Sequence, residues 1–377
     1  MRIVDVRARC IRSHIPRVQL GGMAWKVDLA STIVEIESDE GIVGRGEATM
    51  SNGAHNEEVL ARAIKTVFAP MIIGEDPRDI TALWRKMWLY ARTMGFLSPV
   101  SAIDQALWDL KARWLGVPIY DLLGGKVRDK IRVYACSAVK KDIDQHVADI
   151  RKYVELGFQA TKLSIGRGVD EDIELIRRAT EAAEGKIKIA VDANGYYDDF
   201  AAALRIAEVC DECGIFWLEE PLPLTDITGL AELNRRVKTP ISGFQSETSA
   251  YRMKEYLRNN ALEIYQPRLD YCGGITQSKR IAEICEVWHK LFIPHSFGGG
   301  VKFAGTVQVI AAALAGGWVE FPVVLDHENP KRFMTGDYIS NSEVFRVDDE
   351  GFLTVPTGIG NGIEINEDAI RELEIDY

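Results

Sequence analysis

The segments ATKLSIG (160–166), EDIELIRRATEAAE (171–184), KIAVDAN (188–194), DFAAALRIAEVCDEC (199–213) and FWLEEP (216–221) decide the fold. Short β-rich runs alternate there with amphipathic stretches of helical spacing. The same alternation extends in both directions. VYACS (133–137) precedes it, and PISGFQS (240–246), EIYQP (263–267), LFIPHS (291–296) and WVEFP (318–322) follow. Eight strand-and-helix units predict an α/β fold, a parallel (β/α)8 barrel. One polar residue near the end of each run from the second onward gives Lys162, Asp192, Glu219, Gln245, Arg268, His295 and Glu320. They are spaced 30, 27, 26, 23, 27 and 25 apart. That near-constant step is architectural, because the units share no clear similarity with one another.

Upstream, IVDVRARCI (3–11), ASTIVEIES (30–38) and IVGRGEA (42–48) read as a meander of strands, with a turn at Ser38-Asp39-Glu40-Gly41. HNEEVLARAIKTVF (55–68), ITALWRKMWLYAR (80–92) and SAIDQALWDLKARWLG (101–116) read as helices whose tryptophans, Trp84, Trp88, Trp108 and Trp114, belong to the core. The expected division is an α+β capping domain over 1–125, a barrel over 126–335, and a segment 336–377 that returns to the cap. A loop from His14 to Lys26 carries Gly21-Gly22, Met23 and Trp25, and Trp25 is a candidate substrate contact.

Composition narrows the partners. The chain of 377 residues has 45 Lys+Arg against 56 Asp+Glu, a net charge of −11. Such a charge disfavours nucleic acid and anionic membranes. No apolar run reaches the roughly 20 residues that span a bilayer. The charged start MRIVDVRARC is unlike a signal peptide. A cytoplasmic protein is expected. Six cysteines fit a reducing compartment, and the Cys210-x-x-Cys213 pair reads as two helix-end cysteines.

In barrels of this kind chemistry sits at the C-terminal strand ends. Asp192 and Glu219 come from neighbouring strands and offer hard oxygen ligands suited to Mg²⁺. Lys162 and His295 stand ready as acid and base. A divalent cation between them stabilises an enolate formed next to a carboxylate.

These residues resemble those of the enolase superfamily, in its mandelate racemase and muconate lactonizing enzyme-like group. The resemblance spans nearly the whole chain. GIVGRGE (41–47) and ALWDLK (106–111) resemble the capping domain. GFQATKLSIG, VDAN, WLEEP, QPRLDYCGGIT, IPHSFGGG and WVEFP resemble the barrel motifs. It implies Mg²⁺ on Asp192, Glu219 and a fifth-strand ligand, and a homo-oligomer, a dimer or an octamer.

Three positions depart from the family pattern. Ser164 stands where a second lysine, a common base, is usual. Gln245 replaces the fifth-strand glutamate, with Glu247 two residues on as the alternative ligand. Arg268 replaces the aspartate that orients the histidine, with Asp270 following. Arg268 should hold His295 neutral or bind an anionic group, and mannonate dehydratases are similar in placing an arginine there. The expected function is a Mg²⁺-dependent dehydratase of a sugar acid or related hydroxy acid. Lys162, His295, Ser164 and Arg268 are its candidate catalytic residues; Asn194, Glu320 and Trp25 contact substrate. A racemase, epimerase or lactone cycloisomerase, or a barrel that binds without turnover, remain alternatives.

Overall fold

The computed structural model describes residues 1–13, 29–49, 57–136, 142–323, 325, 329–331, 333 and 337–377. Trp25 and the whole 14–26 loop lie outside them.

The N-terminal strands β1 (Ile3–Ser13), β2 (Leu29–Ser38) and β3 (Val43–Ala48) form an antiparallel sheet in the order β1-β2-β3. The turn after β2 closes with a hydrogen bond from the Gly41 N–H to the Ser38 carbonyl, and Gly41 takes φ +74°. Alternation puts Val34 and Ile36 in a core with the helices Ile80–Met94 and Ser98–Leu115, and an irregularity in β1 between Ile3 and Asp5 brings both Ile3 and Val6 to it. β3 lies almost against the second helix. A Cβ on Gly46 would sit 2.0 Å from the Ala102 carbonyl oxygen, and one on Gly44 2.2 Å from that of Ala106. The alternating glycines permit this approach. Gly46→Ala is expected to lower stability by about 1–3 kcal/mol through overpacking, read as a lower denaturant midpoint at unchanged slope. Of the four tryptophans, Trp84 is fully buried and Trp114 is exposed, with the Arg78 guanidinium over its ring.

The barrel strands are β4 (Lys130–Cys136), β5 (Ala160–Ser164), β6 (Lys188–Asp192), β7 (Leu218–Glu219), β8 (Ile241–Gly243), β9 (Ile264–Tyr265), β10 (Leu291–Phe292) and β11 (Trp318–Pro322). They are parallel and run in sequence order from β10 back to β4, with β11 on the far side of β4. Every β-rich run of the sequence pattern carries one strand. Between β10 and β11 the seam is held by side chains as well as backbone. Phe292 N–H donates to the Ala315 carbonyl, Ser296 Oγ donates to the Glu320 carbonyl, and the N–H groups of Ser296 and Phe297 donate to Glu320 Oε2.

A period of two explains the interior. Tyr134, Ala160, Ala190, Trp217, Ile264 and Ile293 make a buried apolar layer inside the barrel. Two residues further along the chain from each come Cys136, Lys162, Asp192, Glu219, Gln266 and His295, the last two just past the ends of β9 and β10. The polar layer thus stands directly above the apolar one. Cys210 and Cys213 end the helix Phe200–Cys213 as free cysteines.

The C-terminal segment first adds β12 (Phe352–Thr354) antiparallel to β4, a contact with the barrel that the sequence pattern does not suggest. It then reaches the N-terminal sheet. Asn361 N–H donates to Asp109, and Arg9 and Arg45 each pair with Glu367 at 2.8 Å. Among the described residues no helix is long and apolar enough to cross a membrane.

Candidate active site

Lys162 is the centre of the polar layer. Its Nζ lies 2.9 Å from Glu219 Oε1, 3.2 Å from Asp192 Oδ2 and 3.2 Å from Glu320 Oε1, with the side chain 3% exposed. Burial pushes a lysine towards its neutral form, but the pull of Glu219, Glu320 and Asp192 is greater. Its pKa therefore stands well above the ordinary lysine value.

Asp192 and Glu219 are Cα partners at the ends of β6 and β7. Asp192 Oδ1 accepts from the Asn194 N–H at 2.9 Å, a local turn bond. Asn194 itself is exposed, with φ +51°. Glu219 Oε2 accepts from Gln266 Nε2 at 2.7 Å and from Trp217 Nε1 at 3.2 Å. Burial, and then the other's charge in the case of Glu219, moves both carboxyls above their ordinary range. Neither Gln266 nor Trp217 stands among the expected site residues. The signal was present, since both precede a site residue by two on an inward-facing strand.

The fifth strand departs from the expected geometry. β8 ends at Gly243, and Phe244 takes φ +94° with its ring against Tyr256 and Tyr265. This break puts Gln245 beside Glu220, whose Oε2 accepts from Gln245 Nε2 at 3.0 Å. Glu247 does not join the site. Its carboxylate accepts from Tyr256 Oη at 2.6 Å and from Arg252 Nε at 3.1 Å. The expectation that Glu247 shares a strand face with Gln245 fails because no strand continues to it.

Arg268 and His295 are Cα partners in an isolated bridge. Arg268 Nη2 donates to Asp270 Oδ2 at 2.9 Å and to Thr49 Oγ1 at 3.0 Å. Asp270 also accepts from the Thr49 N–H and lies 3.8 Å from Lys302 Nζ. It is held away from the histidine. Instead, His295 Nδ1 lies 3.8 Å from Glu320 Oε2 and has no hydrogen-bond partner among the described residues. Burial pulls the His295 pKa down to about 3, against the attraction of Glu320, and Lys162 and Arg268 lower it further. Arg268 thus works in the expected direction, but burial is the larger cause. The ring is expected to stay neutral from pH 5 to 9 in the free protein. Its side-chain NMR shifts should not titrate over that range. Burial also opposes ionisation of Glu320. His295, Lys162 and the Ser296 N–H outweigh it, so this carboxyl lies below its ordinary range. Ser164 is half-buried at the end of β5, in register with Asp192.

The cap contributes directly to this arrangement. Thr49 follows β3, and Asp104 accepts from Thr276 Oγ1 at 2.6 Å and from the Thr276 N–H at 2.9 Å. Trp84 Nε1 donates to the Gly273 carbonyl at 2.9 Å. The turn that carries Asp270 is therefore gripped from above.

A divalent cation fits this donor set. Asp192, Glu219 and Glu220 are buried carboxyls whose pKa values are displaced upwards chiefly by burial, a desolvation that a bound cation would offset. Gln245 adds an amide oxygen. Among the described residues no three His, Cys, Asp or Glu side chains group as a ready-made ligand set. A mixed set, completed by water or substrate oxygens, is what the residues offer.

Residues 145–369 match the model of the enolase C-terminal domain-like family. Residues 21–124 match that of the mandelate racemase/muconate lactonizing enzyme N-terminal domain. The chain is 31% identical to a D-galactarolactone cycloisomerase of Agrobacterium fabrum, over 92% of each chain. It is also 31% identical to an arabinonate dehydratase of Saccharolobus solfataricus, over 90% of this chain and 89% of that one. A solved enolase-superfamily member from Polaromonas sp. JS666 superposes with a TM-score of 0.88 at 26% identity, covering 100% of this chain and 98% of the other. With the cap, the eight-stranded barrel and the Lys162–Asp192–Glu219–His295 mouth all in place, the chain belongs to the enolase superfamily, in its mandelate racemase/muconate lactonizing enzyme group.

Proposed function

We propose that the protein is a Mg²⁺-dependent lyase that dehydrates a sugar acid. The observation that carries this reading is one neutral, buried histidine facing Lys162 and Glu320 across a mouth rich in carboxylate oxygens. Asp192, Glu219 and Gln245 would hold the cation, which supplies charge stabilisation for the enolate. Lys162 neutralises the substrate carboxylate. His295 takes the proton from C2, so the C–H electron pair becomes the enolate. It then returns that proton to the C3 hydroxyl as the C3–O bond breaks. Water leaves, and the enol tautomerises to the 2-keto acid. Atoms and charge balance with a single acid–base group. That matches a site where Ser164 offers a hydroxyl and no second lysine. Arg268 is left to hold an anionic substrate group beside the histidine, and Glu320 and Asn194 to contact hydroxyls. The weak basicity of the free ring rises when a carboxylate binds beside it.

The test is a library of sugar acids incubated with the Mg²⁺-loaded protein. The expected products are 2-keto acids, with C2 hydrogen exchange in D₂O. No keto acid and no exchange with any acid sinks the proposal. A lactone cycloisomerase is the second reading, favoured by the 31% identity to a D-galactarolactone cycloisomerase. It would give a product of unchanged mass and no keto acid.

A further inference from the structure

We propose that Glu220, together with Gln245, completes the divalent-cation site begun by Asp192 and Glu219, doing the work of the carboxylate that Gln245 and Glu247 do not supply. This rests on the reading of the mouth as a metal site and goes beyond it in naming the ligand.

Four observations converge on Glu220. It is 6% exposed, and its Oε1 has no hydrogen-bond partner among the described residues. An orphaned buried carboxylate oxygen costs about 1–3 kcal/mol or more, so a native fold retains one where something else satisfies it.

The backbone also forces the placement. Glu219 points into the barrel, and in a regular strand the next residue would face the outer helices. Glu220 instead takes φ +41°, a conformation that costs a non-glycine residue about 1–2 kcal/mol. It is fixed on both sides. Its N–H donates to the Ser242 carbonyl at 2.9 Å, and its carbonyl accepts from the Gly195 N–H at 2.7 Å.

Room for the side chain comes from Gly243, where a Cβ would stand 3.3 Å from Glu220 Cγ. Finally, Gln245 spends its amide N–H on Glu220 Oε2. That bond leaves the Gln245 oxygen without a hydrogen bond among the described residues. The pair therefore presents two oxygens, one charged and one neutral.

Glu247 is spent on Tyr256 and Arg252.

The test is Mg²⁺ titration calorimetry, with Mn²⁺ electron paramagnetic resonance as a second readout, on the full chain and on Glu220→Gln, Glu247→Gln and Asp192→Asn. Glu220→Gln keeps the shape and an acceptor for Gln245, and thermal melting checks that it folds. The expected result is a loss of at least tenfold in Mg²⁺ affinity for Glu220→Gln, with an altered Mn²⁺ spectrum. Glu247→Gln should bind as the parent does, and Asp192→Asn should lose the site. Parent-like affinity in Glu220→Gln, beside loss in Asp192→Asn, overturns this assignment and leaves the metal reading standing. A tenfold loss in Glu247→Gln instead transfers the role to Glu247. Absence of binding by the parent protein at millimolar Mg²⁺ overturns both.

Discussion

Lys162→Met should melt several degrees below the parent protein and recover much of the difference when Mg²⁺ is added. The substitution leaves Asp192, Glu219 and Glu320 facing one another inside the barrel with no cation. Removing one partner of a buried ionic cluster costs about 3–5 kcal/mol. For a chain of this size that is a fall in Tm of about 4–6 °C. A divalent cation replaces the lost charge, and at one hundred times its Kd it returns about 2.7 kcal/mol. The variant should bind the cation more tightly than the parent, because no ammonium competes for the carboxylates. It should still be inactive, because nothing then neutralises the substrate carboxylate. Thermal melts with and without Mg²⁺ read all of this. Melting with the parent protein in both conditions would show that Lys162 does not hold the cluster together.

The second large effect falls on chemistry alone. His295→Asn removes the acid–base group while keeping a polar side chain of similar reach. Turnover should fall by about 10²–10⁴-fold, with little change in KM or Tm. Exchange of the C2 hydrogen in D₂O should fall with it, since both need the same proton transfer. Exchange at the parent rate would place the base elsewhere.

The barrel was legible because its signal repeats. Each strand end carries a polar residue two positions beyond an apolar one, as in Ala160/Lys162, Ala190/Asp192 and Ile293/His295. One rule of alternation predicts these positions, and applied to Ile264 it points to Gln266, which the reading of strand ends passed over in favour of Arg268. Arg268 beside His295 was legible from the near-constant spacing of the units, and the two meet in an isolated bridge beyond the strands. The rule stops where the strands stop. β8 ends at Gly243, so counting two from Gln245 to Glu247 crosses a kink at Phe244 instead of following a pleat. Asp270 fails as a partner for His295 likewise. It lies past the end of β9, in a turn whose contacts come from Thr49, some 220 residues away in sequence. Glu220 was hidden by the same parity, because a strand would have turned it outward. Only its positive φ places it otherwise, and composition carries no sign of that for a glutamate.

One side chain in the barrel's seam has a consequence for how such an enzyme can change. Glu320 accepts from two backbone N–H groups of the β10 side, its own carbonyl receives the Ser296 hydroxyl, and its other oxygen faces Lys162. Any replacement that alters the contact with a ligand also loosens the last joint of the cylinder. Selection for a new substrate therefore has little freedom at this corner. Innovation is channelled to positions that no closure depends on, while Glu320 stays as fixed as the fold itself.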